Sequence, residues 1–252
     1  KKNFQDWNEV VMKLVGMLMQ LAPYGVFALL FNLFASKGLG AIEELAVYFA
    51  TVVLVLVLHA TIVYPSLLVV LARLKPTIFF RKMRPVQLFA FSTASSNATL
   101  PITMTTVENR LGVDNKVASF SLPLGATLNM DGTAIMQGVA TVFIAQAYGI
   151  DLSAMDYLTV IVTATLASIG TAGVPGVGLV MLSLVLTQVG LPVEGIALII
   201  GVDRLLDMLR TAVNVTGDAA VSCIVAKSEG QLDVACFESE DSKSAHSDSL
   251  VK

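Results

Sequence analysis

The chain has 252 residues, 55% of them apolar and only 14% charged, with a formal net charge of −3 and a mean hydropathy of +0.77. That is far more apolar than a soluble domain and marks an integral membrane protein. No basic excess suits nucleic acid, and the two cysteines, Cys223 and Cys236, have neither pairing nor metal spacing, so nucleic-acid binding and thiol chemistry are set aside.

The chain opens KKNFQDW without Met, as expected of a fragment or a processed chain, and its first apolar stretch is too long for a signal peptide. Apolar runs at 10–35 and 45–72 are each long enough to cross a hydrocarbon core of roughly 30 Å. Residues 1–72 are therefore expected to hold two transmembrane helices, with Pro23 and Pro65 as kinks and His59 packed or facing a neighbouring helix rather than catalytic. Lys1, Lys2 and Lys13 precede the first span, and Arg73, Lys75, Arg81, Lys82 and Arg84 follow the second, which puts both ends on the cytoplasmic side.

Residues 73–228 are expected to form the core region. Basic residues flank its first part, whose centre FAFSTASSNATLPITM is too polar and too short for two crossings; a re-entrant hairpin over 77–112 fits. A broken helix is expected over 116–149, interrupted at NMDGT. Between Val117 and Asp203 there is no Lys or Arg, so the loops near 151–156 and 190–195 belong outside. The Gly/Pro-rich centre of 155–190 then reads as a second hairpin entering from the opposite face, and 193–226 as the last helix, interrupted at NVTGD. Asn followed by Gly three residues on, after each hairpin, suggests an inverted repeat of the kind that places a binding site at the membrane midplane. The Ser-rich, acidic stretch 229–252 is expected to be a disordered cytoplasmic tail. The fold class is thus all-α and membrane-integral, with spanning helices and two opposed re-entrant helical hairpins.

The chemistry concentrates in DRLLDMLRTAVNVTGD. Five charges facing lipid would cost about 3 kcal/mol each, so they must face protein or water. On a helix, Asp203, Asp207, Arg210, Thr211, Asn214 and Asp218 share one stripe. An Asp207–Arg210 ion pair three residues apart is the plain structural alternative. Asp131, with Asn129 and Thr133 beside it and Gly132 permitting local unwinding, offers carboxylate and carbonyl oxygens to a hard cation such as Na⁺; a protonated structural Asp is the alternative. The STASSNATLP tip supplies hydroxyls and free N–H groups to a carboxylate, and GTAGVPGVG allows close backbone approach or a plain hairpin turn.

Taken in order, STASSNATLP, LPLGATLNMDGT, ASIGTAGVPGVG and DRLLDMLRTAVNVTGD strongly resemble the dicarboxylate/amino acid:cation symporter family, the glutamate and aspartate transporters. The resemblance implies that Arg210 pairs with a substrate side-chain carboxylate, that Asp207 takes the amino group, and that Thr211 and Asn214 hold the main-chain end. Ser95, Ser96, Thr133, Val174 and Gly178 would complete that pocket. It implies Na⁺ as a coupling ion, at one site made by Gly125, Asn129, Asn214 and Asp218, at a second made by Thr127, Ser168, Ile169 and Thr171, and at a third using Asp131 with Asn129. A homotrimer, an elevator motion and earlier spans that precede this chain are also implied. Asn97 and Ala94 depart from the Ser and the Arg that relatives carry at the first hairpin, and Arg204 is a further cation on the last helix.

The expected function is sodium-coupled import of aspartate or glutamate across the plasma membrane by alternating access, and not catalysis. Arg210 suits a carboxylate and Asp207 an ammonium, so an acidic amino acid fits both; a C4-dicarboxylate or proton-coupled symporter is the alternative. An intramembrane aspartyl protease would need Gly where Val215 stands and a Tyr-Asp partner that does not occur. A channel has no use for an Arg/Asp pair matched to a zwitterion.

Overall fold

The computed structural model describes Gly40 to Ser239 continuously and, before them, Val10, Lys13, Leu14, Met17, Gln20, Tyr24, Phe27, Ala28 and Phe31. The expected span at 10–35, apart from those positions, and the end of the tail from 240 onward lie outside the described residues. The chain is all-α; the only β-type pairing among the described residues is an isolated bridge between Val113 and Leu232.

Helix α1, Gly40–Leu58, continues to Ala72 through two π-helical turns, His59–Val63 and Leu68–Ala72, on either side of Tyr64–Leu67. The cause is Pro65, which has no N–H to return to the preceding turn, so the ladder shifts register around it. Glu43–Ala72 is the one helix, among the described residues, long and apolar enough to cross a membrane. Its Val47, Leu54, Ile62 and Val70 are exposed while Leu45, Tyr48, Val52 and Leu56 are buried, so it offers one apolar face outward and one inward.

Two helix–turn–helix pairs follow, separated by a bent pair. Helices α2, Pro76–Thr93, and α3, Ser96–Asn109, turn at Ala94 and Ser95. Ala94 is left-handed (φ 50°), and the Ser95 hydroxyl caps α3 by accepting the Ala98 N–H. Helix α4, Asn115–Leu128, stops two residues before α5, Asp131–Ala147. Helix α6, Ala154–Ser168, opens on a capping box of Ser153 and Asp156. It is joined to α7, Val177–Gln188, by a loop in which Gly170 (φ 81°) and Gly176 (φ 80°) adopt the left-handed conformation.

Helix α8, Ile196–Ser228, runs unbroken through NVTGD. This differs from the expectation of an interrupted centre: no Pro occurs there, and the helical hydrogen bonds are kept. The end of the chain differs as well. Residues 229–239 are ordered, with a short helix α9, Val234–Glu238, that buries Cys236 and Phe237. Phe237 supplies the apolar anchor that the acidic composition of the tail concealed.

Two apolar cores meet along α8. One gathers α1, α5, α6 and α7 around Ile199 and Leu206 of α8; the other gathers the end of α1, α2, α3 and α4 around Val215, Ala219 and Cys223. The polar stripe of α8 lies where the cores meet, facing the two turns.

Candidate binding site

The stripe on α8 is buried along its whole length. Arg210, 1% exposed, donates from Nη1 to Asp203 Oδ1 at 2.7 Å and from Nη2 to Asp207 Oδ1 at 2.8 Å. Spacings of four and three residues bring both carboxylates under one guanidinium fork. Two carboxyls share one cation, and Arg210 Nε has no hydrogen-bond partner among the described residues. The Asp207–Arg210 pair named as the structural alternative is thus present, with Asp203 as a second carboxyl on the same guanidinium. Asp203 bonds to Arg210 and not to its sequence neighbour Arg204, whose buried Nη1 has no hydrogen-bond partner among the described residues.

A hollow with about 20 Å³ of space for water lies beside this triad. It is lined by Ala94 and Ser96 of the first turn, Met130 and Thr133 at the α4–α5 bend, Thr171 to Val174 and Gly178 of the second pair, and Asp207, Thr211 and Asn214 of α8. The two turns touch over it. The Ser95 hydroxyl and the Asn97 N–H both donate to the Gly173 carbonyl, at 2.7 and 3.1 Å. Gly173 is small of necessity, because a Cβ there would lie 2.9 Å from Asn97 Oδ1 and 3.0 Å from Ser96 Cβ. Asp207 Oδ2 accepts the Gly176 N–H at 3.0 Å, tying α8 to the second turn. Two larger grooves, edged by Val47, Phe143 and Gln146, lie on the outer side of α1 and α5, away from these groups.

Asn214 joins the hollow to the bend. Its Oδ1 accepts the Gly132 N–H at 2.8 Å, and its Nδ2 reaches Met130 Sδ at 3.2 Å. A side chain of α8 thus caps the first turn of α5, which lets the backbone leave the helix at Asn129 and Met130.

The residues expected to hold Na⁺ fall at three neighbouring points. Asp218, 4% exposed, accepts from Asn129 Nδ2 at 3.0 Å and forms no ion pair among the described residues. Gly125 lies so close that a Cβ on it would sit 2.7 Å from Asp218 Oδ1. The Thr127 carbonyl accepts the Gly170 N–H at 2.7 Å, bringing it against the turn of Ser168, Ile169 and Thr171. Asp131 Oδ2 lies 3.1 Å from His59 Nε2 and accepts from the Tyr64 hydroxyl at 3.1 Å. Among the described residues no three of His, Cys, Asp or Glu converge as a metal centre. The oxygens gathered here are carbonyls, hydroxyls and single carboxylates, a donor set that fits a hard monovalent cation, and a carboxyl buried as Asp218 is needs either a cation or a proton beside it.

Of the expected substrate residues, Ser96, Thr133, Val174, Gly178, Asp207, Thr211 and Asn214 line the hollow. Arg210 stands behind Asp207, 3.4 Å from where a Gly178 Cβ would be, and Ser95 is turned to the Gly173 carbonyl and the cap of α3. Two contributors had no role in the sequence reading: Asp203 lay on the stripe unassigned, and Tyr64 was unmarked. His59, expected to pack or to face a neighbouring helix, faces Asp131 across 72 residues of chain. Only the polar character of His59 within an apolar span hinted at this.

The family model of the sodium:dicarboxylate symporter family matches residues 1–228. The chain is 47% identical over 224 residues to an excitatory amino acid transporter of Caenorhabditis elegans, covering 88% of this chain and 44% of that protein. It is 46% identical to excitatory amino acid transporter 2 of Mus musculus and 44% identical to excitatory amino acid transporter 1 of Rattus norvegicus, covering 39% and 41% of them. The chain thus spans about two-fifths of the length of these relatives. With motifs, all-helical fold and match in agreement, the chain belongs to the sodium:dicarboxylate symporter family.

Proposed function

We propose that this chain is the substrate-binding part of a sodium-coupled symporter that imports acidic amino acids, aspartate or glutamate, by alternating access. The observation that carries this is the Arg210 fork held between Asp203 and Asp207 beside the hollow. A guanidinium suits the side-chain carboxylate, Asp207 the ammonium, and Thr211, Asn214 and Thr133 the polar main-chain end. Binding and release, rather than bond chemistry, are the work of these side chains.

Charge explains why cations accompany the solute. Asp203 and Asp207 share Arg210, Asp218 is buried against the Asn129 amide, and an acidic amino acid adds a further negative charge. Na⁺, held by Asp218, Asn129, Asn214 and Gly125, by Thr127 with Ser168, Ile169 and Thr171, and by Asp131, supplies the balancing charge. Each net positive charge entering down a 100 mV potential adds about 2.3 kcal/mol of driving force.

In this reading α2–α3 and α6–α7 are re-entrant hairpins that enter from opposite faces of the plasma membrane and gate the hollow, within a core of residues 73–228. The carboxyl end is cytoplasmic, and the functional unit is a homotrimer. Calorimetric titration of the purified protein with aspartate, glutamate and malate, in Na⁺ and in choline, tests the proposal. Markedly tighter binding of aspartate or glutamate in Na⁺ than in choline is expected. Preferential malate binding would point to a dicarboxylate carrier, and Na⁺-independent binding would overturn sodium coupling.

A further inference from the structure

Residues 229–239, which lie beyond the match to the family model, are fastened to the base of the first helical pair. The chain turns at Gly230 (φ 66°) and runs back beside the α3–α4 connection. There the Asp114 N–H donates to Gln231 O at 3.0 Å and the Asp233 N–H to Gly112 O at 2.8 Å. Gly112 is left-handed (φ 76°), and a Cβ on it would lie 2.5 Å from Asp233 O, so only glycine lets the two segments approach this closely. Asp233 then caps α9 by accepting the Cys236 N–H at 2.9 Å.

Lys82 of α2 closes the arrangement. Its ammonium, on a side chain 3% exposed, donates to Arg110 O at 2.7 Å, to Cys236 O at 2.8 Å and to Phe237 O at 2.8 Å. An ammonium has three donors, and all three are met by carbonyls. Two of these carbonyls belong to the last turn of α9 and one to the C-cap of α3, the ends where helix dipoles are negative. Lys82 also lies 5.9 Å from the centre of the Phe237 ring. One cation thus joins α2, α3 and the carboxyl-terminal segment without a carboxylate.

We propose that Glu229–Ser239 is a strap that locks the base of the α2–α3 pair to the end of α8, with Lys82 as its latch. The base of the pair and the carboxyl-terminal half of α8 then move as one body, and freedom in the pair is confined to its turn at Ala94–Asn97. The device is independent of which solute the hollow takes. Releasing it exposes Cys236, 4% exposed and 3.5 Å from Asn109 O, while Cys223, 0% exposed within α8, stays covered.

Two single-thiol chains test this with a membrane-impermeant charged maleimide on purified protein. In the Cys223→Ala chain, Cys236 is expected to react slowly, and adding Lys82→Met to accelerate it by about tenfold or more, as local opening without the latch becomes easier. In the Cys236→Ala chain carrying Lys82→Met, Cys223 is expected to stay protected. An unchanged Cys236 rate overturns the latch. Equal opening of both thiols overturns a separable strap, because Lys82 would then support the whole fold.

Discussion

A guanidinium buried between two carboxylates cannot be deleted cleanly. Arg210→Ala would leave Asp203 and Asp207 uncompensated, at a cost of about 3–5 kcal/mol, and would mix stability with recognition. Arg210→Lys keeps the charge and removes the planar fork, so one ammonium must serve both carboxylates and the ligand. Aspartate affinity is expected to fall on the order of 100-fold while a neutral amino acid still binds, measured by calorimetry in saturating Na⁺; unchanged aspartate affinity would remove Arg210 from recognition. Glycine matters as much around Asp218. Gly125→Ala would press on the carboxylate, from which its Cβ would be 2.7 Å away, whereas Gly138→Ala adds a Cβ with nothing within 4 Å. The first substitution is expected to raise the Na⁺ concentration for half-maximal substrate binding by about tenfold and the second to leave it unchanged, read from a sodium titration at fixed aspartate.

At the scale of elements, NMDGT and NVTGD look alike, yet only the first interrupts a helix. The difference is not local. At Asn129 and Met130 the backbone leaves the helix because α8 supplies Asn214 for the Gly132 N–H and Asp218 for the Asn129 amide. At 214–218 the helical hydrogen bonds persist and α8 continues. Sequence alone does not say which helix lends the capping side chain, so the second break was misread while the helices and turns themselves were legible from periodicity, Gly and Pro. Where the cap is local it is legible: Ser153 and Asp156 form a capping box at the start of α6. Ser153 holds the Asp156 carboxyl below the usual range, so the carboxylate half of this cap is intact near neutral pH and is weakened as the pH falls through that lowered value. Ser153→Ala is expected to cost about 1 kcal/mol locally, seen as faster amide exchange in the first turn of α6 with the rest of the helix unaffected.

Over the whole molecule, composition and spacing made legible the membrane class and the polar stripe on α8, and the family resemblance pointed to most residues that line the hollow. What they hid were partners brought together only by folding: His59 and Tyr64 to Asp131, Asp203 to Arg210, and Lys82 to the strap. The α4–α5 bend is the point where such long-range contacts join the two proposed sites. Asn129 bonds Asp218 on the side proposed for the cation, and its neighbour Met130 both lines the hollow and receives the Asn214 amide. A two-residue bend that touches both sites gives a physical route for coupling, and coupling between two bound species is reciprocal. Na⁺ should therefore raise aspartate affinity by the same factor, roughly 5–150-fold, by which aspartate raises Na⁺ affinity. Met130→Ala removes the sulfur contact while leaving Arg210, Asp207 and Asp218 in place. It is expected to shrink that factor several-fold, with the weak aspartate affinity measured without Na⁺ nearly unchanged. Titrating aspartate at a series of Na⁺ concentrations in both proteins measures the factor directly. A coupling factor equal in the two would mean that the bend does not carry the linkage, and that charge balance alone joins the cation to the solute.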